Sequence, residues 1–407
     1  MLLTLRGPEY LPVLDTQIDD ARFGEFVSIV GEVLRCGDHA VLAPPLLLER
    51  FSEWPGLSRF QRTAIEQAKG QAVIQALPFD AVTDSLVLTG PAGRTEDPES
   101  PTRWHRRDWT WLVSQRRLGA TVLGGENLRD ATWYRWLGRA WVARMRRDSL
   151  DADHELALRC RGFGGDTIRQ ELPNTAGSGE PVLCIVDSDR DHPDAPIGQT
   201  AQAASAVIDE LGGAGAPARV EPLRARDVEN ILPLPLVEAA ATRQRNPDRR
   251  ARVHALAQRG FFGRPQVDPA LAYVDLGKDQ CEAKLLHADD EATRRYRERA
   301  LRRMREHDRS CPTMQACELA ATERCLAPKL SGGIPSSCTV VFGVKWLLAD
   351  VLSVLDSEAS RPASERLHRS TAAWLEAMLP DEDPVLFEPA RLAWSWGLRA
   401  RPLHPAI

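Results

Sequence analysis

The apolar and polar positions of this 407-residue chain change period several times along its length. Between Ile18 and Leu34, the residues Ile18, Ala21, Phe23, Phe26, Ile29, Val30 and Val33 recur near helical spacing, which predicts an amphipathic helix. A second helix is expected from Ser58, covering Phe60–Ala76 with Gly70 weakening its middle, so residues 1–92 read as mostly helical. Asp15, Asp19 and Asp20 fit the first turn of a helix better than a nuclease-like cluster. Further on come short apolar runs bounded by turn residues, at Ala120–Leu123, Val182–Val186 and Ala218–Leu223, each of buried-strand length. Helical stretches at Asn127–Trp141 and Ile197–Leu211 separate them. Strands alternating with helices predict an α/β core built on a parallel sheet. Beyond residue 236 the pattern is mainly helical, at Ala239–Gln258 and Glu291–His307, with a linker expected at Asp356–Arg366. Gly93–Arg103, polar and with two prolines, marks a first boundary. The expected segments are 1–117, mainly helical; 118–235, the α/β core; and 236–407, mainly helical.

Chemistry gathers where the strands end. Ligands of open parallel sheets bind at the carboxyl ends of the strands. Val182–Val186 runs straight into Asp187, Asp189 and Asp191, three acids that suit a hard metal ion. A solvated acidic loop is the alternative. Ala120–Leu123, with a turn expected at Gly124–Gly125, leads to Glu126, and glycines there let the backbone bend into the next helix. Glu126 would face Asp187 if the two strands are neighbours. Gly162, Gly164 and Gly165 precede another expected helix, where backbone N–H groups could meet a phosphate; a plain tight turn fits them equally well, and no GxxxxGK[ST] sequence occurs. A calcium loop of EF-hand type would need Gly in place of His192 and Glu in place of Gly198. A haloacid-dehalogenase-type phosphatase also begins with Asp-x-Asp, but usually has Thr or Val where Asp191 stands and needs neither Glu126 nor Glu229.

Composition narrows the setting. The chain is 43% hydrophobic and 27% charged, ordinary for a soluble protein, and has no apolar run of membrane length or secretory signal pattern. A cytoplasmic protein with no membrane partner is expected. Eight scattered cysteines argue against a disulfide framework. Cys311, Cys317, Cys325 and Cys338 lie in one stretch, as zinc ligands or as buried thiols, and none of their spacings is the usual C-x2–4-C. The net charge of −5 gives no global attraction to nucleic acid, so any binding must use local basic patches. One candidate interleaves Trp104, Trp109 and Trp111 with Arg106, Arg107, Arg116 and Arg117, either as a base-stacking surface or as core tryptophans with arginines outside. Trp109 and Trp111 share a face only on a strand. The other is the arginine run Arg294–Arg305, which reads either as a phosphate-facing stripe or, with Glu291, Glu298 and Glu306, as a salt-bridged solvated face.

Four features follow one another: Glu126 after a strand, the Gly162–Gly165 cluster, Asp187-Ser188-Asp189 after a strand, and Asp227-Val228-Glu229-Asn230-Ile231-Leu232-Pro233. In that order they resemble a TOPRIM domain, most closely that of the overcoming-lysogenization-defect (OLD) family and its stand-alone relatives among bacterial defence nucleases. The resemblance covers about residues 118–235. It implies a Rossmann-like parallel sheet and a metal-dependent endonuclease acting on DNA, or on RNA, in anti-phage or anti-plasmid defence. It also implies roles. Glu126 would be a metal ligand or general base, Asp187 and Asp189 would hold Mg²⁺ or Mn²⁺ with help from Asp191, and Glu229 would serve a second ion. Gly164, Gly165, Arg190 and Lys278 would meet substrate, and Asp275 would lie near the site with Lys278. Two divalent ions can activate water and neutralise a phosphodiester together. The family usually has Gly after the glutamate, where this chain has Asn127. Family relatives often carry an ATPase domain, so an ATPase or sensor on a separate chain is an expected partner, as is a second copy in a homo-oligomer. The alternative to an enzyme is a non-catalytic nucleic-acid-binding or assembly subunit.

Overall fold

The computed structural model describes residues 1–5, 21–72, 82–89, 103–148, 155–165, 167–211, 216–262, 270–288, 290–308, 340–341, 343–361, 371–378 and 384–399. The chain is α/β and forms two compact units, the first from residues 1–185, 203–221 and 387–407, the second from 186–202 and 222–386. These borders cut across the three expected segments. Strand Val182–Val186 crosses from one unit into the other at its last residue.

The first unit contains two parallel sheets. In the N-terminal one, β1 (Leu2–Leu5), β2 (Ala40–Leu42), β3 (Asp84–Thr89) and β4 (Arg103–Asp108) lie in the order β2-β1-β3-β4. The helices here are α1 (Ala21–Cys36), α2 (Pro45–Ser52), α3 (Arg59–Ala72) and α4 (Trp109–Gln115). Both helices predicted in residues 1–92 are present, together with three parallel strands that the pattern did not predict. β1 and β3 are short and almost wholly buried, so they lack the polar alternation that marks a half-exposed strand. β4 is an edge strand whose charged residues suit that position. Trp109 and Trp111 lie on helix α4 rather than on a strand: Trp109 packs against Phe23 and Phe26, while Arg107 stacks over Trp111 at 5.8 Å. The core explanation therefore holds for Trp109.

The second sheet comprises β5 (Thr121–Gly125), β7 (Leu158–Gly162), β8 (Val182–Val186) and β9 (Ala218–Pro222), in the order β7-β5-β8-β9. Helices α5 (Leu128–Asp148), α6 (Ile168–Gly177) and α7 (Gln199–Leu211) connect them. β7 was not legible in the sequence because its pattern, LRCRG, buries only its first residue fully. A short strand, β6 (Glu155–Leu156), pairs antiparallel with Leu398–Arg399, and Leu398 and Trp394 join Leu2, Ala40 and Val82 in one core cluster. Between the sheets lies a polar knot. Asp84, wholly buried, receives Arg219 Nη1 at 2.6 Å and lies 3.0 Å from His105 Nε2, while its backbone exchanges hydrogen bonds with Ser395 Oγ.

The second unit is mainly helical. A 3-10 turn (Val228–Ile231) leads into α8 (Leu234–Arg243), which packs on α9 (Pro247–Gln258) and α12 (Leu347–Ser360). The remaining elements are α10 (Glu282–Leu286), α11 (Glu291–Asp308), α13 (Thr371–Met378) and a small antiparallel pair, β10 (Gln280–Cys281) with β11 (Val340–Val341). The linker expected from Asp356 is helical through Ser360. Asp15, Asp19, Asp20, most of Gly93–Arg103 and the four cysteines from Cys311 to Cys338 lie outside the described residues. Among the described residues, no helix is long and apolar enough to cross a membrane.

Candidate active site

In chain order the second sheet reads 2-1-3-4, so its strand order reverses between β5 and β8. That reversal is where open α/β sheets place ligands, outside the carboxyl ends. β5 pairs with β8 in parallel register, Leu123 opposite Leu183 and Gly124 opposite Cys184. Gly124 and Gly125 are the last residues of β5 rather than a turn. Close packing selects glycine there, since a Cβ on Gly124 would stand 2.1 Å from Phe163 Cε2.

Glu126 follows directly. Its carbonyl accepts the Gly164 N–H at 2.8 Å, so that N–H serves the turn instead of a phosphate. Gly165 is exposed. Asn127 explains its own departure from the resembling pattern. It caps α5, its Oδ1 accepting the N–H groups of Arg129 and Asp130, while Asp130 Oδ2 accepts the Asn127 N–H at 2.9 Å. Burial, opposed by these hydrogen bonds, pushes Asp130 up to about 6. The Cys184 thiol on β8 is pushed well above its usual range, first by burial and then by the charges of Glu126 and Asp130.

The Asp run belongs to the second unit, where a dense backbone network fixes it. Ser188 is fully buried; its hydroxyl donates to Ala225 O at 2.7 Å and its N–H to Arg226 O at 3.0 Å. Asp189 has φ 51°, in the left-handed region that Asp tolerates better than most residues. Gly198 makes room for it, since a Cβ there would stand 2.4 Å from Asp189 Cβ. Asp187 Oδ1 accepts the Val228 N–H at 3.0 Å, which joins the Asp run to the 3-10 turn. Glu229 is buried in that turn. Asn230, also buried, donates to Leu271 O and Val274 O and so anchors the 270s segment.

Asp191 is held by two arginines: its Oδ1 receives Arg226 Nη1 at 2.7 Å and Arg297 Nη2 at 2.6 Å. The Arg190 guanidinium donates to Pro193 O at 3.0 Å. Lys278 is exposed, with its Nζ 4.0 Å from Asp275 Oδ2.

Asp227 is the residue that sequence reading passed over. Its Oδ2 accepts the Leu276 N–H at 3.2 Å. Burial first, then the charges of Asp275 and Asp189, push its carboxyl up to about 7 against the pull of Arg226. Asp227 opens the Asp227–Pro233 segment that also carries Glu229, so its place in the sequence marks it. Among the described residues, no three His, Cys, Asp or Glu side chains converge closely enough to hold a metal ion. The donor chemistry nonetheless suits Mg²⁺ or Mn²⁺: Asp187, Asp189, Asp227 and Asp275 offer only carboxylate oxygen, and Asp189 and Asp275 crowd Asp227 with negative charge that a divalent cation would offset.

The chain matches no family model, no curated protein and no solved structure.

Proposed function

We propose that this chain is a divalent-metal-dependent nuclease of TOPRIM-like architecture that hydrolyses phosphodiester bonds of DNA, with RNA as the second substrate. One observation carries the reading: the two strands at the reversal of the second sheet, β5 and β8, run directly into Glu126 and Asp187. Asp187 and Asp189 are the residues assigned to hold the metal, with Glu229 serving a second ion. Ions held there would supply charge neutralisation and a more acidic water. By the resemblance, Glu126 would be a metal ligand or the general base. The hydrogen bonds of Ser188 and Asp189 to Ala225 O and Arg226 O fix the backbone that carries Asp187 and Asp189. By the resemblance, bacterial defence in the cytoplasm is the setting, with an ATPase or sensor on another chain as partner.

A second reading is a non-catalytic nucleic-acid-binding or assembly subunit. The clamp on Asp191 favours it, because one expected ligand is engaged by two arginines.

Cleavage separates the two. Supercoiled plasmid, single-stranded DNA and bulk tRNA are incubated with Mg²⁺ or Mn²⁺ and wild type, Glu126→Ala or Asp187→Ala protein. Metal-dependent cutting that disappears in both variants is expected. Cutting that survives both substitutions refutes the assigned site, and binding without cutting on any substrate favours the second reading.

A further inference from the structure

The Asp191 clamp leads to α11, the helix that supplies Arg297. Its eighteen residues, Glu291–Asp308, carry seven arginines against four acids, a local charge of +3 on a chain of net −5. The helix buries Thr293, Ala300, Leu301 and Met304 and turns its remaining arginines outward, apart from the half-buried Arg297. Several of these are paired: Arg294 and Arg295 with Glu291, Arg303 with Glu306, and Arg305 with Glu282. Arg299 and Arg302 are exposed and have no ion-pair partner among the described residues.

We infer that the outer face of α11 is a docking surface for the phosphate backbone of a nucleic-acid duplex. This deepens the nuclease reading by naming its substrate class, and rests on it. Arg295, Arg299 and Arg302 stand at i, i+4 and i+7, one face of a helix spanning about 10 Å. A duplex presents about six phosphate charges over that length. The exposed face offers no apolar residue larger than Ala292, so it lacks what a helix needs to lie in an anionic membrane surface. Its aromatic residue, Tyr296, is packed between His192 and Tyr273 and gives no platform on which single-stranded bases would stack. Charge without stacking or apolar contact fits a duplex backbone. The same helix also holds the Asp run: Arg297 donates to Asp191 and to the carbonyls of Leu285 and His287. A duplex seated on α11 would thus rest on an element tied directly to the loop of Asp187 and Asp189.

The test is fluorescence anisotropy with a labelled 20-base-pair duplex and the matching single strand, in EDTA so that no chemistry intervenes, across a salt series. The proteins are wild type, Arg299→Ala/Arg302→Ala, Arg299→Lys/Arg302→Lys, and the control Arg50→Ala/Arg59→Ala on exposed arginines of α2 and α3. Losing two phosphate contacts lowers the slope of log K against log salt by about 1.8 and weakens duplex binding roughly 30-fold at 0.15 M salt. The lysine pair restores most of that loss and the control pair shows none. The inference is overturned if the alanine pair binds duplex as wild type does, if the single strand binds as tightly as the duplex, or if wild type binds anionic lipid vesicles and not the duplex. Plasmid cleavage in Mg²⁺ is read separately. The expected drop in duplex binding with no cleavage upholds this surface and counts against the nuclease reading; cleavage and duplex binding both unaffected by the alanine pair do the reverse.

Discussion

Removing Asp191 tests whether that acid is a metal ligand or a structural tie. Asp191 Oδ1 accepts from Arg226 at 2.7 Å and from Arg297 at 2.6 Å, and the side chains of those arginines are 16% and 21% exposed. A hydrogen bond between charged groups contributes about 1.5–3 kcal/mol when shielded. Here the carboxylate is 37% exposed and one oxygen is shared by two guanidinium groups, so solvent screening reduces the coupling to each arginine to about 1–2 kcal/mol. The assay is a double-mutant cycle of Asp191→Ala and Arg297→Ala. It is read by hydrogen exchange on peptides covering 186–202 and 282–300, because two compact units make one global unfolding energy ill-defined. A coupling near 1–2 kcal/mol is expected, together with faster exchange in both peptides for either single variant. Calorimetric Mg²⁺ titration supplies the second arm: Asp191→Asn keeps the wild-type affinity, whereas Asp187→Asn loses at least tenfold. Additivity within about 0.5 kcal/mol, or equal loss of Mg²⁺ affinity in the two asparagine variants, would refute the clamp.

Three further outcomes follow from buried groups and tight approaches. Gly198→Ala forces a Cβ to within 2.4 Å of Asp189 Cβ; if Asp189 moves by about 1 Å, metal-dependent cleavage falls about 100-fold, and an unchanged rate would show that Asp189 needs no such placement. His39 is fully buried with its ring Nε2 2.8 Å from Gly119 O, and burial lowers its pKa to about 3. It stays neutral in the folded chain while the unfolded chain takes up a proton, so stability is full above about 6.5 and falls as pH drops from there toward 3, by about 5 kcal/mol at most. His39→Gln removes that slope when hydrogen exchange of first-unit peptides is followed over a pH series, and a slope that persists would assign it elsewhere. Asp84→Asn leaves Arg219 with Glu221 as its remaining carboxylate partner and costs about 2 kcal/mol in the same measurement. Burial opposes ionisation of Asp84, but His105 and Arg219 outweigh it and hold its pKa below the usual value, so its contribution is present above about pH 4 and lost only as pH falls through the lowered value. An Asp84→Asn variant as stable as wild type at pH 7 would show the knot to be neutral.

The elements legible in the sequence were those with a full signal. β8 runs over Val182–Val186 as the apolar run predicts, and β9 and α7 lie within two residues of their expected bounds. What escaped did so for definable reasons. β1 and β3 are buried and therefore unpatterned, and β4 and β7 are edge strands whose arginines mask the alternation. The acids at strand ends were visible as residue types, but Asp191 and Asp227 exchange importance only through long-range partners. Arg297 reaches Asp191 from 106 residues away, and Asp275 acts on Asp227 from across the 270s segment. No local pattern encodes such pairs. Asn127 belongs to another class: it stands where the resembling pattern has Gly, yet with Asp130 three residues on it forms a capping box, which the sequence alone could have disclosed.

The two sheets of the first unit repeat one topology, since β2-β1-β3-β4 and β7-β5-β8-β9 are both 2-1-3-4 in chain order. Topology alone would therefore nominate two reversal points, one between β1 and β3 and one between β5 and β8. The sequence at the strand ends separates them. β1 is followed by Arg6-Gly7-Pro8 and β3 by Gly90-Pro91, without an acid, whereas β5 is followed by Glu126 and β8 by Asp187-Ser188-Asp189. A parallel sheet supplies a place for a ligand, and side chains decide whether chemistry occurs there. The first sheet carries its buried carboxylate, Asp84, at the opposite end, as the first residue of β3 and already paired with Arg219 and in hydrogen-bond reach of His105. That placement suits a knot that holds elements together. In the second sheet the acids stand where the backbone opens, and the case for phosphodiester chemistry rests on that difference in position between otherwise equivalent sheets.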